Sequence, residues 1–149
     1  TIASPVRVDE ILTKLKATLD KVYFEKGVDC TVSVPENDCF YGEKNDIFEI
    51  LGNLFENAYK YTHTSVKVYS ITDDVHRSKN LLAIVIEDDG PGVPDEKKES
   101  ILKRGSRLDT KEPGQGIGLA MVADVVDSYG GTITVEDTST GGARFVVIV

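Results

Sequence analysis

Positive charge is in short supply in this chain, cysteine and histidine are rarer still, and no apolar run reaches the length of a membrane span. The 17 Lys and Arg residues face 25 Asp and Glu, a net charge of −8, which argues against a general nucleic-acid-binding surface and favours solubility. A spanning helix needs about 20 consecutive apolar residues, and no such run is present. No charged, apolar and small-residue succession resembles a signal peptide either, so the sequence is expected to behave as a soluble unit. Cys30 and Cys39 lack CxxC spacing and have no histidine near them in sequence. A zinc ligand set is therefore not indicated, and both read as reduced structural thiols. His63 and His76 lie in polar, turn-like stretches with nothing beside them to build a triad or a metal geometry, so a surface role suits both.

What is present fits one compact module: 149 residues at 40% apolar content can bury a sizeable core. Apolar positions Val8, Ile11, Leu12, Leu15, Leu19, Val22 and Tyr23 recur at helical spacing, which predicts a helix from Val8 to Phe24, ended by Gly27. Val28 to Val34 alternates as a strand and Pro35 to Asp38 turns the chain. A helix from Asp46 to Tyr61 follows, then a strand pair, Ser65 to Ile71 and Leu81 to Glu87, around a polar loop. Pro91 to Gly114 is long, charged and punctuated by Gly and Pro, with room for at most one short helix. The path closes with a helix from Ile117 to Tyr129 and a hairpin of Thr132 to Val135 with Ala143 to Val149. The expected class is a two-layer α/β sandwich.

Three segments carry chemistry. Asn53, Asn57 and Lys60 fall on one stripe of the second helix at about 100° per residue. Amide oxygens suit a hard cation such as magnesium and the ammonium suits phosphate. Against this stands an ordinary solvated face, since Asp46 and Glu49 share the stripe. Second, the apolar run from Leu81 to Ile86 ends in Glu87-Asp88-Asp89-Gly90-Pro91-Gly92, a buried strand stopping at an acidic turn. A carboxylate there can accept from a donor-rich ligand edge, although Asp-Gly-Pro-Gly is also plain turn chemistry. Third, Gly114-Gln115-Gly116-Ile117-Gly118-Leu119 opens directly into a helix, an arrangement that presents backbone N–H groups to an anion. It lacks the GK[ST] of a P-loop, Leu119 stands where GxGxxG has its last glycine, and no DFG accompanies it. Lys97, Lys98, Lys103, Arg104, Arg107 and Lys111 crowd the stretch between the second and third segments.

In this order the three segments resemble the N, G1 and G2 boxes of the Bergerat-type ATP-binding domain shared by sensor histidine kinases, gyrase-type topoisomerases, heat-shock-90 chaperones and MutL repair ATPases. Gly42-Glu43 is similar to the Gly-Asp pair that precedes the first box in histidine kinases, with Glu in place of Asp. Asn57-Ala-Tyr-Lys60-Tyr61-Thr is histidine-kinase in style, and Arg104-Gly-Ser-Arg107-Leu-Asp-Thr with Pro113-Gly-Gln-Gly looks most like the PhoQ type of sensor kinase. That type carries Arg where Glu112 stands here. The phenylalanines of an F box are absent between Glu96 and Arg107, which leaves Ile101 and Leu102 to anchor the connection.

The resemblance implies a mixed, mostly antiparallel sheet covered on one face by about three helices, with 93–113 as an ATP lid. It implies roles as well. Asp89 would accept from the adenine amino group, Gly90 and Gly92 would let the backbone approach the base, and Tyr61 would pack on the purine. Asn53 and Asn57 would ligate magnesium, with Gln115 helping from the lid. Lys60 and Arg107 would contact phosphate, while Gly114, Gly116, Gly118 and the adjoining Leu119 would line the triphosphate. The ATPase members place a glutamate where Asn53 stands, and an amide is a poor general base; Glu56 remains as a water-activating group in another geometry. The implied activity is transfer of the ATP γ-phosphoryl group to a histidine on a separate dimerisation domain. A response regulator would be the further partner, without nucleic acid, and the piece itself would be monomeric. The parent would be a homodimer anchored in the bacterial inner membrane with this domain in the cytoplasm. The alternatives are an anti-sigma-type serine kinase and a nucleotide-responsive binding module without chemistry.

Overall fold

The structure, a computed structural model, describes residues 4–71, 73–103 and 117–149. Helical spacing of apolar residues forms α1 at Val8–Val22, which buries Val8, Ile11, Leu12 and Leu19 and carries Asp9 and Glu10 in its first turn, where the helix dipole favours acids. The helix ends at Val22, two residues short of the expected Phe24. A single 3-10 turn, Phe24–Lys26, then closes on Gly27 at φ 66. Strand β2, Asp29–Ser33, alternates as its sequence predicts. Before α1 and after β2, β1 (Val6–Arg7) pairs antiparallel with β3 (Cys39–Phe40) in a small separate ribbon. Two-residue strands are too short to leave a period in the sequence, and neither was expected.

The central helix α2 runs Lys44–Tyr61 and buries Ile47, Ile50, Leu51, Leu54, Phe55, Ala58 and Tyr59. Each fully buried Leu or Ile of that set contributes about 1.5–3 kcal/mol relative to exposure. It is followed by β4 (Ser65–Ser70), a short α3 (Asp74–Ser78) and β5 (Ala83–Asp88). The polar loop between the strands therefore holds a helical turn, started by the Asp73 carboxylate, which accepts from the His76 N–H at 2.8 Å. After β5 come α4 (Asp95–Lys98) and a 3-10 turn at Ser100–Leu102, two turns of helix where one was expected. The chain ends with α5 (Ile117–Ser128) and the hairpin of β6 (Thr132–Asp137) and β7 (Ala143–Ile148).

The main sheet has the order β2-β4-β5-β7-β6, with β2 and β4 parallel and every other pair antiparallel. The parallel pair is what a helical crossover through α2 demands, since a hairpin cannot join strands running the same way. Helices α1, α2 and α5 lie on one face, over a core that includes Val66, Val68, Ile84, Ile86, Phe145 and Val147. This is the two-layer, mostly antiparallel sandwich the sequence predicts. On the opposite face Arg144 bridges Glu87 at 3.2 Å and Glu136 at 3.0 Å, and the Tyr69 hydroxyl donates to Glu87 at 2.6 Å. Charged side chains in cross-strand register keep that half-exposed face hydrated.

Candidate functional site

The site is built where the C-terminal half of α2 faces the start of α5 and the end of β5. The Asn53 amide donates its Nδ2 to the Glu49 carbonyl at 2.8 Å, which leaves Oδ1 as an outward acceptor. That oxygen faces α5: a Cβ on Gly118 would lie 2.7 Å from it, so any side chain at 118 displaces the Asn53 amide or parts the two helices. Asn57 is half-buried one turn on, and its side chain makes no hydrogen bond among the described residues. Lys60 is exposed on the last turn with its Nζ 5.6 Å from the Tyr61 ring centroid, and Tyr61 itself is half-buried. Leu119 packs into the core beneath the start of α5. Glu56 is exposed on α2, 3.4 Å from the hydroxyl of Tyr23 at the end of α1. Arg107, Gly114, Gln115 and Gly116 lie outside the described residues.

Both ends of α2 are tied down. At its start the Tyr129 hydroxyl donates to Asp46 at 2.6 Å and accepts from the Glu43 N–H at 3.1 Å, while its ring meets Phe40 edge-on. At its end the Lys26 ammonium donates to the carbonyls of Tyr59 and Lys60, both at 2.7 Å, two of the groups a helix C-terminus leaves unpaired.

The acidic turn separates two carboxylates that look equivalent in the sequence. Asp88 continues the alternation of Ile84 and Ile86, so it turns to the helix-covered face, where it is only 5% exposed. Its Oδ1 accepts from the Gly90 N–H at 2.8 Å. Burial pushes its pKa up, partly offset by hydrogen bonds from the Gly90 and Ala143 backbone. Asp89, the expected purine acceptor, is committed elsewhere. Its Oδ1 takes the Thr62 hydroxyl at 2.6 Å and the backbone N–H groups of His63, Thr64 and Ser65 at 3.0, 2.8 and 3.1 Å, and its Oδ2 takes the Thr64 hydroxyl. Burial works against its ionisation, but the hydrogen bonds from Thr62, Thr64 and Ser65 win and hold it well below the usual carboxylate range.

Backbone approach around the turn is as close as its glycines allow. A Cβ on Gly90 would stand 2.2 Å from the Tyr61 carbonyl oxygen, and one on Gly92, at φ 75, 2.3 Å from the Gly141 carbonyl. The hairpin turn supplies Gly142, where a Cβ would come within 2.0 Å of the Asp88 carbonyl. Val93, Ile101 and Leu102 pack against the core, and Lys98 pairs with Asp137 at 2.9 Å, so the described part of the segment after the turn is anchored on β6.

A profile of the "Histidine kinase-, DNA gyrase B-, and HSP90-like ATPase" family matches residues 42–149. The chain belongs to this family. As an ATPase-family domain it binds ATP, and its sequence relatives are sensor kinases. It is 42% identical over 141 residues to the sensor protein PhoQ of Escherichia coli K12, covering 95% of this chain and 28% of that protein. To the virulence sensor histidine kinase PhoQ of Salmonella typhimurium 14028s it is 40% identical over 141 residues, again 95% of this chain and 28% of that one. The chain thus spans about 28% of the length of these relatives. Among solved structures, the mycobacterial sensor histidine kinase MprB matches with a TM-score of 0.81 at 23% identity, over 98% of this chain and 95% of that one. The catalytic domain of histidine kinase ThkA matches at 0.84 with 19% identity, over 100% and 95%. Both likenesses establish the fold of the ATPase-family domain.

Several parts of the site were not singled out in the sequence. Asp88 was available from strand parity, which places it with Ile84 and Ile86. Gly141 and Gly142 read as ordinary hairpin glycines, because what they pack against, the acidic turn, is remote in sequence. Thr62 and Thr64 carried no signal, since their partner Asp89 comes from another strand end.

Proposed function

We propose that this domain holds magnesium–ATP between α2, α5 and the turn after β5, and delivers its γ-phosphoryl group to a histidine on a separate dimerisation domain of a sensor kinase. What supports this reading is that the stretch of α2 carrying Asn53, Asn57, Lys60 and Tyr61 meets the start of α5 at Asn53 and Gly118, and meets the turn after β5 where Gly90 backs on the Tyr61 carbonyl and binds Asp88. Asp88, in place of Asp89, is the purine acceptor: it is buried on the ligand-facing side and prepositioned by Gly90, which suits an exocyclic amino donor. Tyr61 flanks the base and Lys60 with Arg107 meets phosphate, while Gly114, Gly116 and Gly118 border the triphosphate at the start of α5. The Asn53 Oδ1, freed by the anchoring of its Nδ2, and the Asn57 amide fit the oxygen ligands magnesium prefers, with Gln115 as a third. When bound, the ion neutralises phosphate charge. The residues of this chain position the nucleotide and stabilise charge, which is most of what phosphoryl transfer asks of a protein.

A hydrolytic reading has less behind it, because Asn53 cannot act as a base and the Glu56 carboxylate accepts from the Tyr23 hydroxyl at 3.4 Å. Residues 93–113 serve as the lid. The parent protein is a membrane-anchored homodimer with this domain in the cytoplasm and a response regulator as its downstream partner.

Calorimetric titration with magnesium–ATP tests the site. Asp88→Asn should weaken binding by about 1.5–3 kcal/mol, roughly ten- to a hundredfold, the worth of a charge-assisted hydrogen bond. Equal affinity in the two proteins would remove Asp88 from the site.

A further inference from the structure

Donors from four consecutive residues, Thr62 to Ser65, converge on the one carboxylate of Asp89. Successive N–H groups pointing at a single oxygen form an anion nest, here filled from within the molecule. The gripped segment begins directly after Tyr61, whose carbonyl backs Gly90, and the residue preceding the anion in sequence is Asp88. One side chain therefore ties together the two walls of the base subsite, the exit of α2 and the turn after β5. Lys26 and Tyr129 hold the two ends of helix α2.

We propose that Asp89 is a positioning residue that sets base selectivity: by locking Thr62–Ser65 to the turn after β5, it fixes the spacing between Tyr61 and the Asp88 carboxylate. The proposal rests on the reading of Asp88 as purine acceptor. A carboxylate at that place matches the amino group of adenine and opposes the carbonyl that guanine carries at the same ring position. A site built around one such hydrogen bond rejects the wrong partner only while its geometry is held. Loosening the latch admits water or a shifted base beside Asp88, and discrimination falls before phosphate binding does.

Three ligands separate this role from a merely structural one: magnesium–ATP, magnesium–GTP and magnesium–tripolyphosphate, titrated calorimetrically into the wild-type chain, Asp89→Asn and Thr64→Val. Asp89→Asn should cut the ATP-over-GTP preference by about tenfold while tripolyphosphate affinity stays within about twofold. Thr64→Val removes a single donor and should move the same ratio in the same direction by less, which keeps the proposal open to test where Asp89→Asn does not fold. Partial unfolding lowers all three apparent affinities by one common factor and leaves the ratio alone. An unchanged ATP-over-GTP ratio in the variants overturns the positioning role. A wild-type chain with no preference for ATP over GTP overturns the Asp88 reading and the proposal with it.

Discussion

Asp88 and Asp89 are adjacent and identical in type, and their pKa values are shifted in opposite directions. Burial raises the pKa of Asp88, whereas donors from Thr62, Thr64 and the backbone overcome burial at Asp89 and lower its pKa. The two therefore act on stability with opposite signs. A lowered folded pKa means that Asp89 contributes stability above its unfolded value, about 3.9, and that the contribution fades as pH falls below it. A raised folded pKa means that Asp88 costs stability once pH climbs above about 3.9, and the cost is complete above its folded value. Urea denaturation between pH 7 and pH 3 should show the deficit of Asp89→Asn shrinking toward acid, while Asp88→Asn compares best with wild type at pH 7 and loses ground toward acid. Slopes of the same sign for both variants would contradict the assignment. At this scale the sequence pointed to this dipeptide and to Asp89 within it, whereas the proposed reading takes Asp88, because Asp89 is engaged by Thr62 to Ser65. Resemblance marked the acidic turn, but the choice between neighbours depends on strand parity through Ile84 and Ile86 and on donors from a loop more than 20 residues away.

Helix α2 shows at the scale of elements how a site is kept rigid from outside itself. Tyr129, at the end of α5, closes its first turn, and Lys26, after α1, closes its last. Removing the hydroxyl in Tyr129→Phe should cost about 1 kcal/mol of stability, and removing the ammonium in Lys26→Met about 1 kcal/mol as well, given the exposure of that side chain. The 18-residue helix separates the two by about 27 Å. The costs should then add within about 0.5 kcal/mol in the double variant, as urea midpoints at constant slope will show. A coupling well above that would mean that the two ends communicate through the helix. Helices α1, α2 and α5 and the five strands of the main sheet were legible because each carries a clear period or an apolar run between turn signals. The ribbon of β1 and β3 and the single turn of α3 were not, since two to five residues hold no period and tertiary pairing decides them.

At the scale of the molecule, the family was legible because three short motifs occur in a fixed order over one chain, and the fold brings Asn53 beside Gly118 and the Tyr61 carbonyl beside Gly90. Arg107, Gly114, Gln115 and Gly116 lie outside the described residues, so their part in the proposed phosphate end rests on sequence resemblance, while Gly118 and the proposed base end are argued from geometry. The account makes this domain a nucleotide holder that waits for its nucleophile. Neither His63, which stands exposed at the exit of α2, nor His76, whose ring meets Asp73 in a short surface helix, is placed as an acceptor. Incubation with ATP labelled at the γ-phosphate tests this most directly, with the domain alone and with the parent's dimerisation domain added in trans. The account predicts no stable label on this domain by itself and acid-labile label on the added domain; stable label on the isolated domain, or rapid release of free phosphate without a partner, would contradict it.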